Sequence, residues 1–230
     1  MNNDYIKDYK EKELRLFIAS YMLISVATIA LYVMKSNEII EVFPVLLELV
    51  TLDVVVGVAC TMVYIVNEIW TYTAKNKLVY KTLPSNTIFS DLISGKVLIP
   101  GIDMEKAKNQ YRKLSEANGE IQTMEWNKLL AKSRKKEYGN VIEAERQQLL
   151  TRDICVSSVS LLIINLLTIL IMSVVFGNVL KSIIIFGVPE LYLAVMYVLS
   201  RRAANNTAKH FVYMVIKNDV IESLESKSKN

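Results

Sequence analysis

Four apolar runs, each long enough to cross a hydrocarbon layer, constrain this chain more than any motif in it. They are Leu16 to Met34, Val42 to Val66, Ile154 to Phe176 and Val179 to Ser200. A spanning helix needs about 20 mostly apolar residues. A soluble domain of 230 residues has little use for four such runs. Hydrophobic residues make up 52% of the chain and charged residues 22%, so the two kinds must be segregated along the sequence. The first run follows a charged leader, as a secretory signal would. Its length, the lack of a clear small-residue cleavage site and the three runs that follow predict an uncleaved span.

Lys and Arg fix the expected orientation. The leader carries Lys7, Lys10, Lys12 and Arg15, and fifteen more lie from Lys75 to Arg152. The tail adds Arg201, Arg202, Lys209, Lys217, Lys227 and Lys229. The two short loops hold only Lys35 and Lys181, a split of 25 to 2. The expectation is an all-α, polytopic protein of the cell membrane, with both termini cytoplasmic and a helical cytoplasmic insert between the second and third of four transmembrane helices. The segments are a leader (1–15), a first hairpin (16–66), the insert (67–153), a second hairpin (154–200) and a tail (201–230).

The insert reads as helical throughout. Span two is expected to continue inward through Trp70 and Tyr72 toward Tyr80, with both aromatics at the interface. Leu83-Pro84-Ser85 breaks it, with Ser85 as the cap of a short helix ending near Gly95. Pro100-Gly101 makes a second break, and Asp103 caps a helix to about Ala117. Asn118-Gly119 turns into a helix from Glu120 to Tyr138, and Val141 to Arg152 leads into span three. Gly177-Asn178 is the expected tight turn between spans three and four. The tail is expected to extend span four as a helix, with Phe211, Val212, Val215 and Val220 as an apolar stripe, fraying after Ser223.

Aligning the spans by depth brings Ser25, Asp53, Asn165 and Glu190 to one level, with Thr28 one turn from Ser25 and Pro189 beside Glu190. An ionised carboxylate at the bilayer centre is costly, so these acids should face the bundle or a wet cavity. No Lys or Arg lies at that depth, which favours a protonated acid bonded to Asn165 or a hydroxyl, or one balanced by a cation. Glu48 lies about 7 Å further outward on span two. Asp53 and Glu190 then line an ion or proton path with Glu48 at its mouth, and Pro189 frees a carbonyl at that depth. In the rival reading the same groups hold the helices together. Asp53, Gly57, Cys60 and Tyr64 share one face of span two, which also suits a packing seam.

The densest charge run, Lys132, Arg134, Lys135 and Lys136, suits anionic lipid headgroups or a cytoplasmic anionic ligand. A solvated helix face is its commoner meaning. Trp126 and Tyr138 beside it fall short of an RNA-binding pattern, and no nucleic-acid partner is expected. His210, the lone histidine, is expected to cover the base of the bundle. Two cysteines, Cys60 and Cys155, read as packing residues and exclude a disulfide framework or a zinc site. Phosphate-loop, nucleophile-elbow, zinc-protease and dinucleotide motifs are all missing from the sequence. No catalytic residue, metal ligand or cofactor is therefore expected.

Three functions fit this reading. The first is an oligomeric, channel-like or membrane-perturbing effector regulated through its insert. Four helices with few charges make a poor pore alone, so it calls for a homo-oligomer in the lipid bilayer. The second is a non-catalytic membrane-anchored module for interaction, immunity or scaffolding, whose insert docks a cytoplasmic protein. The third, a small transporter, lacks an inverted repeat or paired broken helices.

Overall fold

The computed structural model describes residues 4–35, 61, 63, 65–80, 82–115, 117, 119–176 and 179–228. Every element among them is a helix: α1 (Asp4–Lys35), α2 (Tyr72–Val79), α3 (Pro84–Ile93), α4 (Met104–Ser115), α5 (Gly119–Lys135), α6 (Gly139–Phe176) and α7 (Val179–Ser228). Residues 65–69 are also helical. One helix among the described residues, Gly139–Ile171, is long and apolar enough to cross a membrane. Most of the second apolar run, including Glu48, Asp53, Gly57, Cys60 and Tyr64, lies outside the described residues, as do Asn118 and the Gly177-Asn178 turn.

The chain divides into two compact units. Unit 1 comprises Met1–Lys75 and Arg152–Arg201, and unit 2 comprises Asn76–Thr151 and Arg202–Asn230. Unit 1 packs α1, α6 and α7 around Leu14, Phe17, Ile18, Val63, Leu161 and Leu193. Its outer surface is aliphatic: Leu23 of α1, Leu170 and Val174 of α6, and Leu191 and Val198 of α7 are each more than 60% exposed. An apolar patch of this extent needs something other than water against it. The hydroxyls of α6 turn back on their own helix. Ser157, Ser158 and Ser160 donate to the carbonyls of Asp153, Ile154 and Val156 at 2.7–3.0 Å, and Thr168 to that of Ile164 at 2.9 Å. That bond satisfies a polar side chain without help from water.

Unit 2 has an ordinary apolar core. Ile88, Phe89 and Leu92 of α3 meet Ala107 and Tyr111 of α4, Trp126 of α5, Val141 and Ala144 of α6, and Phe211, Val212, Val215, Ile216 and Val220 of α7. The expected apolar stripe of the tail is thus buried, and α7 stays helical to Ser228, beyond the expected fraying point. Trp126 meets Phe211 edge-on at 6.0 Å, a favoured aromatic geometry.

Asp103 caps α4 as expected, its carboxylate accepting from the N–H groups of Glu105 at 3.1 Å and Lys106 at 3.3 Å. Those bonds, led by the Lys106 N–H, hold the carboxyl below the usual aspartate range. Other boundaries differ. Span two does not continue unbroken toward Tyr80, because Thr71 starts a new helix, its hydroxyl accepting the Ala74 N–H at 3.2 Å. Ser85 is not the cap of α3. Pro84 takes the first helical position, where its missing N–H costs nothing, and Leu83 precedes it in an extended conformation. The helices α4 and α5 close at Ser115 and Lys135, short of Ala117 and Tyr138. Glu137, at φ 51°, makes the turn into α6. Gly101 is needed at its break: its φ is +82°, and a Cβ there would sit 2.9 Å from Lys217 Nζ.

Candidate functional site

Three residues expected at one depth come together inside unit 1, and Tyr21 joins them. The helix α1 supplies Tyr21 and Ser25, α6 supplies Asn165, and α7 supplies Glu190. Tyr21 donates its phenol proton to Asn165 Oδ1 at 2.8 Å. Ser25 donates to the Tyr21 backbone carbonyl at 2.9 Å, the back-bond of a helical serine. The Asn165 side chain faces the Glu190 carboxyl, and the Tyr21 phenol lies close to it. Asn165 Nδ2 and Glu190 Oε2 are both enclosed without a hydrogen-bond partner. Such groups are uncommon in folded proteins and mark strain, an unfilled site or a functional role. Beside them, Ser20 and Tyr192 share a hydroxyl–hydroxyl bond of 2.6 Å.

Pro189 is fully buried within α7 next to Glu190. Proline cannot donate to the carbonyl four residues back, so an acceptor is freed one turn toward the start of α7. Glu48 and Asp53 lie outside the described residues. Tyr21 and Tyr192 were not expected here. Tyr21 precedes Ser25 by four residues and so shares its helical face, which was the available signal.

A second polar cluster, also unexpected, lies where residues 67–75 meet α6. Asp153 is almost fully buried, 3.9 Å from Lys75 Nζ and 3.1 Å from the Arg152 guanidinium. That guanidinium stacks over the Tyr72 ring at 5.3 Å. Asn67 donates to Ser157 Oγ at 2.9 Å and Trp70 donates to Ser160 Oγ at 3.2 Å. A buried carboxylate needs such cations, and the last charged residues before an apolar run are where they can be supplied.

The basic run of α5 proves largely paired within unit 2. Lys132 donates to Asp219 at 2.8 Å and lies 3.3 Å from Glu222. Lys136 also pairs with Glu222, and Arg134 pairs with Glu145. Lys135 is exposed. Asp219 accepts two further bonds, from Tyr111 at 2.6 Å and Gln110 at 2.7 Å. Burial and the bond to Asp219 raise the Tyr111 phenol, and the bond to Asp219 raises the Lys132 ammonium. The Lys136 and Lys132 ammoniums hold Glu222 below the usual glutamate range. Three of the four cations thus serve internal carboxylates, which leaves little of the run for an external anion. His210 is exposed on α7.

Among the described residues, no group of three or more His, Cys, Asp or Glu gathers as metal ligands would. Cys155 is a buried free thiol. No protein-family model, curated protein or solved structure is detectably similar to this chain.

Proposed function

We propose that the chain is a four-span protein of the cell membrane, cytoplasmic at both ends, acting as an oligomeric channel-like effector whose insert and tail bias the bundle between closed and permeable states. The observation that carries this reading is the Glu190–Asn165 pair, whose Oε2 and Nδ2 atoms are enclosed without a hydrogen-bond partner. An acid held there at a cost in stability is a functional group by default. The aliphatic outer surface of unit 1 supports lipid as its solvent, and the 25-to-2 distribution of Lys and Arg supports the orientation.

A non-catalytic anchored module is the second reading. The bond from Tyr21 to Asn165 favours it, because that bond ties α1 to α6 as structural glue would. Membrane potential during induced expression separates the two, with wild type and an Asp53→Asn, Glu190→Gln double variant matched for membrane level. Depolarisation by wild type that the variant loses is the expected result. Unchanged potential with both proteins would instead favour the anchored module.

A further inference from the structure

One oxygen of the half-buried Glu190 carboxyl, Oε2, lacks what an ionised carboxylate requires. Every other hydroxyl in the cluster is already committed. The Tyr21 phenol donates to Asn165 Oδ1, the Ser25 hydroxyl to the Tyr21 carbonyl, and Ser20 and Tyr192 bond each other. The Asn165 amide nitrogen is the one described donor left facing the carboxyl, and Oε2 of Glu190 has no hydrogen-bond partner. Asn165 is only 5% exposed and Glu190 Oε2 is itself enclosed, so water does not substitute for the missing donor at that oxygen. Residues 16–34, 154–176 and 182–200 contain no Lys, Arg or His to supply a countercharge. A carboxylate with one donor and no cation is unstable in such surroundings, whereas the neutral acid needs neither.

We propose that Glu190 is a proton-binding site, loaded as the neutral acid in the resting protein, and that the species the bundle admits is the proton. This deepens the permeation reading and rests on it only for the second half of the statement. A hard metal cation takes about six oxygen ligands. Among the described residues, no group of three or more His, Cys, Asp or Glu gathers around Glu190 to supply them. Asn165 is a positioning residue. With its oxygen held by Tyr21, its amide nitrogen is the end left beside the carboxyl. Unloading moves the proton from the acid to an entering water, giving carboxylate and hydronium, and the electron pair of the broken O–H bond stays on Glu190. The Asn165 amide then has the anionic oxygen to bond, so the orphaned donor is satisfied in the unloaded state. Tyr21, from α1, is the one titratable described group that faces this exchange.

Infrared difference spectroscopy tests the site directly. The full chain, reconstituted in neutral lipid at neutral pH, is compared as wild type and Glu190→Gln, with and without sodium. The expected difference is the carbonyl stretch of a protonated carboxyl, present in wild type, shifted in heavy water and indifferent to sodium. A carboxylate stretch at neutral pH overturns the proposal, and a carboxylate stretch that appears only with sodium replaces it with a cation site. Should the glutamine variant fail to fold, Glu190→Asp makes the same subtraction, the band moving instead of vanishing. Tyr21→Phe provides the positioning readout: it shifts the Glu190 band without removing it, whereas a merely structural tyrosine leaves the band in place. A protonated band with no depolarisation in cells would keep the site and discard the permeation reading. Depolarisation with an ionised Glu190 would do the reverse.

Discussion

Truncating Phe89 to alanine is expected to destabilise unit 2 by about 4 kcal/mol, the range for deleting a buried aromatic ring and leaving a cavity. Phe89 is fully buried, and its ring sits 5.3 Å from that of Tyr111. It contacts a core drawn from α3, α4, α5, α6 and α7, so no single helix can shift to close the gap. Since a domain has only about 5–15 kcal/mol to lose, this change brings unit 2 near the edge of folding. Trypsin digestion of inside-out vesicles reads the effect, because the insert is rich in Lys and Arg. Cleavage through the opened state should rise about a thousandfold, tenfold for each 1.4 kcal/mol. Ile121→Ala, at a 44% exposed position of α5, is expected to leave the digestion rate unchanged. Equal rates for Phe89→Ala and wild type would mean that α3 is not part of the core.

Asp219→Ala is expected to cost about 3 kcal/mol, through a different cause. The carboxylate is the shared acceptor of Tyr111, Gln110 and Lys132. Its removal strands the Tyr111 hydroxyl, whose residue is 2% exposed, and an orphaned buried donor costs about 1–3 kcal/mol by itself. The Lys132 charge loses its nearer partner as well, although its side chain is 43% exposed and water makes up part of that loss. Tyr111→Phe in the Asp219→Ala background should therefore recover about 1 kcal/mol, since it deletes the stranded hydroxyl. A strictly additive double variant, measured by the same digestion, would show that the Tyr111–Asp219 bond contributes nothing.

Much of the local architecture was legible because local chemistry determines it. Long apolar runs made α1 and the apolar stretches of α6 and α7 predictable as helices, even though Gly187 and Pro189 interrupt the last of them. Asp103 was legible as a cap because it stands just before a helical run with free N–H groups to bond. The tail stripe of Phe211, Val212, Val215 and Val220 followed from helical spacing. What spacing cannot carry is which distant faces meet. Lys132 finds Asp219 across 87 residues, so a run that reads as a free basic patch is in fact a clamp for the tail. The break at Thr71 was missed because the apolar residues Ile69 and Trp70 run straight into it, and a threonine cap leaves no glycine or proline to announce it. Leu83 was passed over as the residue before α3 because its side chain caps nothing, and the advantage lies with Pro84 after it.

In the candidate site, depth alignment placed Ser25, Asn165 and Glu190 at one level, since rise per residue is fixed in a helix. It did not show that Ser25 would turn back to its own backbone and leave Tyr21 to reach Asn165. A tyrosine carries its hydroxyl far from its Cα, so the residue that donates at a given depth need not have its backbone there. The buried Asp153, Lys75 and Arg152 cluster was hidden for a related reason. Charges at the ends of apolar runs read as interface anchors, and the packing of residues 65–75 against α6 is what brings these together.

Topology is the claim on which the rest depends, and cysteine labelling measures it most directly. The full chain with Cys60→Ala and Cys155→Ala would carry one reporter at a time: Ser36→Cys, Ala131→Cys, Asn178→Cys or Ser226→Cys. An impermeant maleimide is applied to intact cells and then to permeabilised ones. Four spans with both ends inside predict labelling of Ser36→Cys and Asn178→Cys in intact cells, and of Ala131→Cys and Ser226→Cys only after permeabilisation. Labelling of Ala131→Cys in intact cells, or protection of Ser36→Cys and Asn178→Cys until the membrane is opened, would contradict the four-span account.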